Sequence, residues 1–388
     1  MDEEGYPLVD TNPKTWRAAV VVTTIGTGGF LDSYVDNLAC SGTLDRARII
    51  VIPDLKTPTS LFEKCETLRK NGLDVICPTV EDQNSYLNKL GIADLIAFNS
   101  DHRRNVGFLL ALDSDADYLI SIDDDNLCRE GENFIGEHAV VCAGESEFET
   151  LRGRNGWFNI CDLMTIEPQN VYPRGFPFRF RDRSFEPQRR REHATVHLNA
   201  GLWLQDPDLD AATWLTNPAR AVSFRGPSVV LDRDTWSPIN TQNTAVHRDA
   251  VVAFYFVRMA FVLSGLRMDR WGDIFSGYFC QACVRHLGHS VRVGTPLVNH
   301  IRNRHDYLKD LVSELPCMWL MEDLVESTRE IRLQGSTYPD VYLSLAQGID
   351  DAAAKVKAFN GDAATRDFFH GIAKDMRLWT KAVETITG

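Results

Sequence analysis

The sequence has no excess of positive charge, and it lacks a long apolar segment free of charged residues. With 41 Lys and Arg against 54 Asp and Glu, the formal net charge is −13. Such a charge repels nucleic-acid phosphates and predicts no nucleic-acid partner.

The most apolar stretch, residues 250–266, contains Arg258 and is short for a membrane span, so we predict a buried helix there. The acidic N-terminus MDEEGYPLVD lacks the basic and apolar regions of a secretory signal, so we expect a cytoplasmic protein.

The sequence also lacks a second CxxC motif that would complete a zinc site with Cys280 and Cys283. Its nine cysteines are an odd number with scattered spacing, which is typical of reduced cytosolic thiols rather than of a disulfide framework. Because His286 and His289 follow closely, a metal site is one interpretation. The favoured interpretation is an amphipathic helix with two small buried thiols.

Residues 16–145 alternate between strand-like and helix-like segments. Apolar, β-branched runs predict strands in RAAVVVTTIG, ARIIVIPD, DVICPT and DYLISIDDDN. Helices are predicted at residues 31–44, at residues 104–114, and from residue 60 to a stop at Asn71-Gly72. This βαβα order predicts an α/β fold with a mostly parallel sheet and helices on both faces. In such sheets, ligands bind outside the carboxyl ends of the strands.

The rest of the chain has a different pattern. Residues 150–245 are rich in Arg, Pro, Asn and aromatic residues, with short elements and many turns. We predict one domain over residues 1–305, with halves at 16–145 and 146–305. A helical C-terminal extension is predicted at residues 306–388.

Polar residues stand where three predicted strands end: Thr23 with Thr24, Asp54, and the triplet Asp123–Asp125. Three adjacent carboxylates repel one another, and the buried run YLISI delivers them to the ligand edge of the sheet. A divalent cation would neutralise them, since Mg²⁺ and Mn²⁺ prefer hard oxygen ligands and commonly bridge carboxylates to a substrate diphosphate. The triplet therefore predicts a Mn²⁺ or Mg²⁺ site, and a solvated turn is the alternative.

Arg103, Arg104 and Asn105 stand at the start of the helix before this strand. Helix N-terminal amides and guanidinium groups both favour phosphate oxygens. The three residues are therefore predicted to bind a diphosphate. Alternatively, the arginines pair with nearby acids such as Asp101.

The order of these motifs resembles a known family. RN-x-G followed by a strand and DDD looks like the nucleotide-sugar half of a GT-A glycosyltransferase. The segments PRGFPFRFR, AGLWLQDPDLDAAT, RWGDIFSGYFCQACVRHLGHSVRVGTPLVNH and MWLMED are similar, in the same order, to segments of the reversibly glycosylated polypeptides. These are the UDP-arabinopyranose mutases of plants, glycosyltransferase family 75. The resemblance covers roughly residues 18–325 and implies a GT-A, Rossmann-like fold, with the nucleotide sugar in the first half and the sugar and acceptor in the second.

The resemblance implies roles for several residues. Asp123, Asp124 and Asp125 match the acidic triplet of the family, with Asp123 and Asp125 as ligands of Mn²⁺ or Mg²⁺. His300 matches a histidine after the final sheet segment, and in many GT-A enzymes a histidine in such a place completes the metal shell; a structural histidine is the alternative. Arg104 falls on the arginine that becomes glycosylated in the family, and a diphosphate clamp is the alternative.

Further residues are predicted to face the substrate. Asp273 matches the second acid of an Asp-Asp pair in the family, so it is expected to bind sugar hydroxyls or to act as a base, with a helix N-cap as the alternative. Arg174 is a further candidate for donor binding. Gly201 is predicted to allow a close backbone approach. Trp203 is predicted to pack against the sugar or base, or else to be a buried structural residue.

The sequence departs from the family at several places. Gly272 replaces the first acid of the Asp-Asp pair, and the loop IPDLK replaces a more acidic loop that contains glycine. A basic run that includes Arg189, Arg190 and Arg191 could meet an anionic acceptor or form a solvated loop. These changes bear on the mutase reaction more than on the nucleotide-sugar site.

Together these patterns predict a metal-dependent glycosyltransferase with a nucleotide-diphosphate sugar, in particular a UDP-sugar, as donor. The acceptor is expected to be a small molecule or the protein itself, and the plant proteins suggest a homo-oligomer. One alternative is a pyranose/furanose mutase with self-glycosylation, and another is a non-catalytic scaffold that binds the sugar nucleotide. A nucleotidyltransferase is disfavoured because TTIGTGGF lacks a lysine or arginine.

Overall fold

The computed structural model describes residues 16–181 and 186–388, which form a sheet flanked by helices. The strands are β1 (Ala18–Thr24), β2 (Ala47–Pro53), β3 (Asp74–Ile76), β4 (Tyr118–Ile122), β5 (Asn126–Cys128), β6 (Glu145–Arg152), β7 (Met164–Glu167), β8 (Gln188–Gln205), β9 (Arg220–Phe224), β10 (Val229–Leu231), β11 (Asn243–His247), β12 (Val262–Leu263), β13 (Leu266–Arg267) and β14 (Ser290–His300). The α-helices are α1 (Leu31–Cys40), α2 (Thr59–Lys70), α3 (Val80–Lys89), α4 (Arg104–Leu112), α5 (Phe134–His138), α6 (Ala211–Thr216), α7 (Gly272–His286), α8 (Tyr307–Glu330), α9 (Tyr338–Ala352) and α10 (Ala363–Thr387).

The first half of the chain forms the predicted parallel sheet. Strands β3, β2, β1 and β4 lie side by side in that order, and all three pairings are parallel. The register places Thr24 opposite Pro53 on β2, and Val22 opposite Ile122 on β4. The carboxyl ends of these strands therefore meet at one edge, which brings together the polar residues that follow them.

The second half extends the same sheet and makes it mixed. Beyond β4 the order is β11, β8, β6, β10, β14 and β5. Strand β11 pairs antiparallel with both β4 and β8, whereas β14 pairs parallel with β8. The α/β class and the helical C-terminal region are confirmed, with parallel pairing among β1 to β4 and mainly antiparallel pairing in the rest of the sheet. The sequence analysis did not predict the short helix α3.

The predicted helix at residues 250–266 is wrong, although much of this segment is buried. A 3₁₀ helix covers Arg248–Phe254, and an extended segment and the β12–β13 hairpin follow. The backbone groups of Phe256 bond to the carboxamide of Asn105, and the Val257 N–H donates to the Gly272 carbonyl, so an α-helical ladder cannot form there. Arg258, the charge in this apolar run, pairs with Asp375 on α10 at 2.8 Å. Over the two described ranges, none of the helices combines the length and hydropathy of a membrane span.

The CxxC cysteines lie inside α7. Cys280 and Cys283 are both fully buried, and burial raises the pKa of each thiol. His289 stacks on His197, with ring centroids 3.5 Å apart, and its Nδ1 is 2.9 Å from the Tyr338 hydroxyl. The two buried thiols correspond to the favoured interpretation, but the predicted amphipathic pattern is wrong, because every residue from Gly272 to Arg285 is buried.

The basic run lies on β8 and is already paired with acids. Arg191 lies 3.0 Å from Glu147 on the neighbouring strand β6, and Arg190 lies 2.5 Å from Asp232. Arg189 likewise bonds to a β6 carboxylate. These three arginines therefore offer no free cation for the predicted contact with an anionic acceptor, because β-pairing places each of them beside an acid. Residues 182–185, which belong to the same basic run, lie outside the described residues.

A substitution at Gly277 on α7 tests how closely this helix packs against the neighbouring backbone. A Cβ atom at this position would lie 1.9 Å from the backbone carbonyl oxygen of Ile239. We expect Gly277→Ala to lower the free energy of unfolding by about 1–3 kcal/mol, because the clash with fixed backbone exceeds the gain in helix propensity of about 1 kcal/mol. Urea unfolding would measure this. Gly29→Ala, whose Cβ meets no atom within 4 Å, is the control, and equal effects of both changes would contradict the prediction.

Candidate functional site

A cavity of about 400 Å³ opens at the carboxyl edge of the parallel strands. Most of the predicted site residues line it, although the second half of the chain supplies several of them. These lining residues are Thr23, Thr24, Asp54, Arg103, Arg104, Asp123, Asp124, Asp125, Arg174, Asp273 and His300. The geometry therefore assembles, at one place, residues that are separated by up to 277 positions in the sequence.

The aspartate triplet follows β4, all of whose residues are buried. Asp123 continues the sheet by donating its N–H to the Gln242 carbonyl at 3.2 Å, and its own carbonyl accepts from Asn126 to close a turn. The turn directs the three carboxylates to different partners. The triplet therefore does not behave as one cluster of equivalent ligands.

Asp123 pairs with Arg104. The Arg104 Nη2 lies 2.5 Å from Asp123 Oδ1 and 3.2 Å from the Thr23 hydroxyl. On its other side, Nη1 donates to the Ser121 hydroxyl and to both the carbonyl and the hydroxyl of Thr241. Arg104 is only 4% exposed, so its guanidinium is held in one orientation at the cavity wall.

Asp124 turns toward β1. Its Oδ2 accepts a hydrogen bond from the Thr24 hydroxyl at 2.5 Å, and that hydroxyl also accepts from the Gly26 N–H. Burial raises the pKa of Asp124, and the Thr24 hydrogen bond partly opposes this. The contact fixes the triplet to the end of the neighbouring strand.

Asp125 faces His300 at the end of β14. The distance between Asp125 Oδ2 and His300 Nε2 is 3.5 Å, and His300 Nδ1 lies 2.5 Å from the Asp206 carbonyl oxygen. Burial alone would lower the pKa of His300, but the hydrogen bond and charge of Asp125 raise it. Burial would likewise raise the pKa of Asp125, but His300 and the Asn303 backbone lower it. With Nδ1 committed to a carbonyl, Nε2 is the ring nitrogen left for a ligand at this position.

Arg174 bridges two buried acids that also line the cavity. It bonds to Asp208 at 2.9 and 3.2 Å and to Asp273 at 3.1 and 2.6 Å. Burial raises the pKa of Asp273, and the charge of Arg174 opposes that shift. Asp273 lies in the first turn of α7, whose N-cap is Trp271, so the alternative reading of Asp273 as the helix N-cap is wrong.

Arg103 and Asp54 line the cavity but also hold local structure. Two guanidinium nitrogens of Arg103 donate to the Gln83 side-chain oxygen, and its side chain covers the Phe98 ring. Asp54 accepts from the backbone N–H groups of Leu55 and Ser100. Neither Arg103 nor Arg104 pairs with Asp101 in the structure, since Arg104 pairs with Asp123 instead.

Three predicted donor-binding residues lie outside the cavity lining. Asn105 is fully buried, because its carboxamide bonds to the backbone of Phe256. A Cβ at Gly201 would lie 2.2 Å from the Asn243 side chain, so Gly201 allows close packing within the sheet. Trp203 is 2% exposed and belongs to the hydrophobic core, which corresponds to its alternative reading.

The sequence analysis missed several lining residues. Thr241 and Gln242 stand at the amino end of β11, which reaches the ligand edge only because β11 runs antiparallel to β4. Their sequence carries no signal for that placement. Arg302, Asn303 and His305 follow the last strand directly, and the rule that polar residues after a strand mark the ligand edge would have found them. The other missed lining residues include Lys56, Ser100, Asp101, Asp208, Phe256 and Arg270.

Comparisons with known proteins agree on a family. The family model described as reversibly glycosylated polypeptide matches residues 19–387. The probable UDP-arabinopyranose mutase 4 of Arabidopsis thaliana is 24% identical over 298 residues, which cover 76% of this chain and 74% of the relative. The UDP-arabinopyranose mutase 1 of Oryza sativa subsp. japonica is 25% identical over 295 residues, with coverages of 75% and 73%.

Among solved structures, glucosyl-3-phosphoglycerate synthase from Mycobacterium tuberculosis, in complex with Mn²⁺ and UDP-glucose, aligns with a TM-score of 0.39 at 10% identity. The alignment covers 79% of this chain and 78% of the other. A second structure of that synthase has a TM-score of 0.40 at 11% identity, with coverages of 81% and 80%. These likenesses are too distant to carry an argument. The family match spans nearly the whole chain, and the chain therefore belongs to the reversibly glycosylated polypeptide family.

Proposed function

We propose that this protein transfers the glycosyl group of a nucleoside-diphosphate sugar, specifically a UDP-sugar, in a reaction that depends on Mn²⁺ or Mg²⁺. The observation that carries the proposal is the meeting of the Asp125–His300 pair and the Arg104 guanidinium in one cavity. A carboxylate and an imidazole beside an arginine suit a metal-bound diphosphate. The cavity volume lies within the usual range for small-molecule sites.

Asp125 and His300 would hold the metal. Across residues 16–181 and 186–388, no group of three or more His, Cys, Asp or Glu side chains is arranged to hold an ion. The diphosphate and water would therefore complete the shell, as is common for Mg²⁺. When bound, the cation supplies neutralisation of the negative charge that grows on the diphosphate as the anomeric bond breaks. Asp123 is engaged by Arg104, so we assign it to positioning that arginine rather than to the pair with His300.

Arg104 would stabilise the leaving diphosphate directly. Its position is determined by Ser121, Thr241 and Thr23 before any ligand binds, so little reorganisation is needed when charge develops. Thr24 and Asp124 would keep the triplet in place beside it. The contribution of the chain at this end is thus a fixed set of hydrogen-bond donors.

Asp273 would act at the sugar end. Arg174 binds both of its carboxylate oxygens, which holds the side chain in place and stabilises its charged form. We propose that it binds sugar hydroxyls through its remaining lone pairs. A role as general base would require Arg174 to remain bound to Asp208 while Asp273 accepts the proton.

We favour glycosyl transfer to a separate acceptor over the mutase reaction. At Gly272, a Cβ would lie 2.3 Å from the Val257 carbonyl oxygen and 2.6 Å from a Phe256 ring carbon. Packing therefore leaves no room here for the acid that the family resemblance would place in the Asp-Asp pair. The second candidate is recapture of the sugar by the same diphosphate in another ring form. The relatives named UDP-arabinopyranose mutases support that alternative and the choice of uridine.

Product analysis tests the two reactions. The protein would be incubated with Mn²⁺ and a panel of UDP-, GDP- and dTDP-sugars without acceptor, and the nucleotides separated by chromatography. We expect slow release of UDP without a new isomer, because water replaces the missing acceptor. A new isomeric UDP-sugar would establish the mutase reaction instead. Binding without any product would contradict both and indicate a sugar-nucleotide-binding scaffold.

The metal assignment is tested by Asp125→Asn. We expect the affinity for UDP in the presence of Mn²⁺ to fall by more than about tenfold, since even indirect partners of metal ligands contribute tenfold or more. Calorimetric titration with and without Mn²⁺ would measure the change. Asp36→Asn, an exposed acid outside the cavity, is the matched control. An unchanged, metal-dependent affinity in Asp125→Asn would show that Asp125 does not hold the ion.

The Arg174 bridge should make stability depend on pH. Burial would raise the pKa of Asp208, but the charge and hydrogen bonds of Arg174 lower it to about 2. Because this lies below the usual value of about 3.9, the stabilisation is present above pH 4 and is lost as the pH falls toward 2.

We expect Asp208→Asn to lower the free energy of unfolding by about 2 kcal/mol at pH 6, and the difference from the original protein to shrink to about half at pH 3. Urea unfolding at pH 6, 4 and 3 would measure both. Asp36→Asn again serves as the control, with no comparable pH-dependent difference. A difference for Asp208→Asn that stays constant with pH would contradict the role of this bridge.

A further inference from the structure

Arg302 lies two residues beyond His300 and lines the same cavity. Its backbone N–H donates to Asp206 Oδ2 at 2.9 Å. Its guanidinium carbon lies 5.2 Å from the ring centroid of Trp214 and 5.7 Å from that of Tyr307. The two aromatic rings and the backbone contact restrict the orientation of this side chain without neutralising its charge.

The Arg302 guanidinium has unused donors. Its Nε and Nη1 atoms are buried and have no hydrogen-bond partner among the described residues. Within that same part of the chain, Arg302 forms no ion pair, whereas Arg104 and Arg174 in the same cavity each pair with aspartate. A buried donor without a partner is unfavourable, which favours a turn of this side chain toward an incoming ligand oxygen.

Most acids near Arg302 are paired with other cations, whereas the Asp206 carboxylate accepts the Arg302 backbone N–H. Asp208 and Asp273 bind Arg174. Glu314 bonds to Arg270 at 3.2 Å, and Asp310 lies 3.6 Å from Arg270 and 2.8 Å from His305. Among the lining arginines that the structure describes, Arg302 and Arg103 form no ion pair, and Arg103 instead donates to the Gln83 side chain.

The backbone at this end is also strained. Arg270 has a φ of 65°, a left-handed conformation that is uncommon for a residue other than glycine. Its carbonyl accepts a hydrogen bond from Arg174, and its side chain bonds to Glu314. Strain of this kind persists where the surroundings hold it, commonly at ligand sites.

The packing around Arg302 places it between the two ends of the cavity. Its guanidinium lies over Tyr307, the first residue of α8, and Glu314 on the same helix bonds to Arg270. The Arg270 carbonyl in turn accepts from Arg174, which binds Asp273 where the proposed function places the sugar. On the other side, the next residue, Asn303, donates to Asp125 of the proposed metal pair.

Resting on the proposed function, we propose that Arg302 binds a second anionic group of the substrates, distinct from the diphosphate. This group is a carboxylate or phosphate carried either by the transferred sugar or by the acceptor. Arg302 thus selects acidic substrates, because its free N–H groups form charge-assisted hydrogen bonds with anionic oxygens. The neutral sugars and alcohols that lack such a group leave the guanidinium unpaired.

The test compares Arg302→Gln with Arg304→Gln by calorimetric titration. Arg304 is exposed, lies in the same loop and does not line the cavity, so it controls for the loss of one positive charge. The ligands are UDP, UDP-glucose and UDP-glucuronate with Mn²⁺, and then inorganic phosphate added to the Mn²⁺–UDP complex. Arg302→Lys, which keeps the charge, replaces Arg302→Gln if the melting temperature shows that the latter is unfolded.

Two results support the proposal and identify the source of the anion. If the sugar carries it, the original protein prefers UDP-glucuronate to UDP-glucose, and Arg302→Gln loses this preference by about tenfold or more. If the acceptor carries it, phosphate binding to the Mn²⁺–UDP complex weakens by a similar factor. In both cases the affinity for UDP itself is unchanged, and Arg304→Gln behaves as the original protein. For Arg302→Lys the same losses are expected to be smaller, because the charge remains and the planar fork is lost.

Two other results overturn the proposal. An equal loss of affinity for UDP and for both UDP-sugars would make Arg302 a ligand of the diphosphate. If the original protein shows no preference for the anionic ligands, the proposed anion subsite does not exist. If the original protein fails to bind UDP with Mn²⁺, the proposed function fails, and titration with phosphate alone still decides whether Arg302 binds an anion.

Discussion

Three adjacent carboxylates at the end of a buried strand are the constraint on which the rest of this site depends. Their mutual repulsion is relieved because each one contacts a different group: Asp123 contacts Arg104, Asp124 contacts Thr24, and Asp125 faces His300. These partners come from the start of a helix, the end of the first strand and the end of the last strand. The sheet must therefore bring distant parts of the chain to one edge before the triplet can be accommodated.

The arginines of the cavity divide it into regions by how each is paired. Arg104 is bound to one aspartate and several neutral acceptors, which suits an arginine that shares its charge with an incoming diphosphate. Arg174 is saturated by two carboxylates and acts as a structural bridge. Arg302 forms no ion pair with the described residues. Three arginines in one cavity therefore differ in the hydrogen-bond donors that they keep available for a ligand, because their surroundings differ.

Sequence reasoning succeeded where a local pattern and its structural consequence coincide. The parallel strands, the helix at Arg104 and the polar residues after each strand all follow from periodicity and strand ends. It failed where a backbone contact from elsewhere overrides the pattern. The apolar run after Arg248 has the composition of a helix, but Asn105 takes the backbone hydrogen bonds of Phe256. For the same reason Asn105 packs in the interior instead of reaching the cavity.

The sequence by itself determined the α/β class, the ligand edge and the acidic triplet, because these depend on short-range alternation of apolar and polar residues. The family resemblance added His300 and Asp273 as candidates. Only the tertiary structure decided that Arg174 joins Asp208 to Asp273, that Thr241 reaches the site through an antiparallel strand, and that Arg302 is left without an acid. Such pairings depend on distances between side chains far apart in the chain, and residue order alone does not contain those distances.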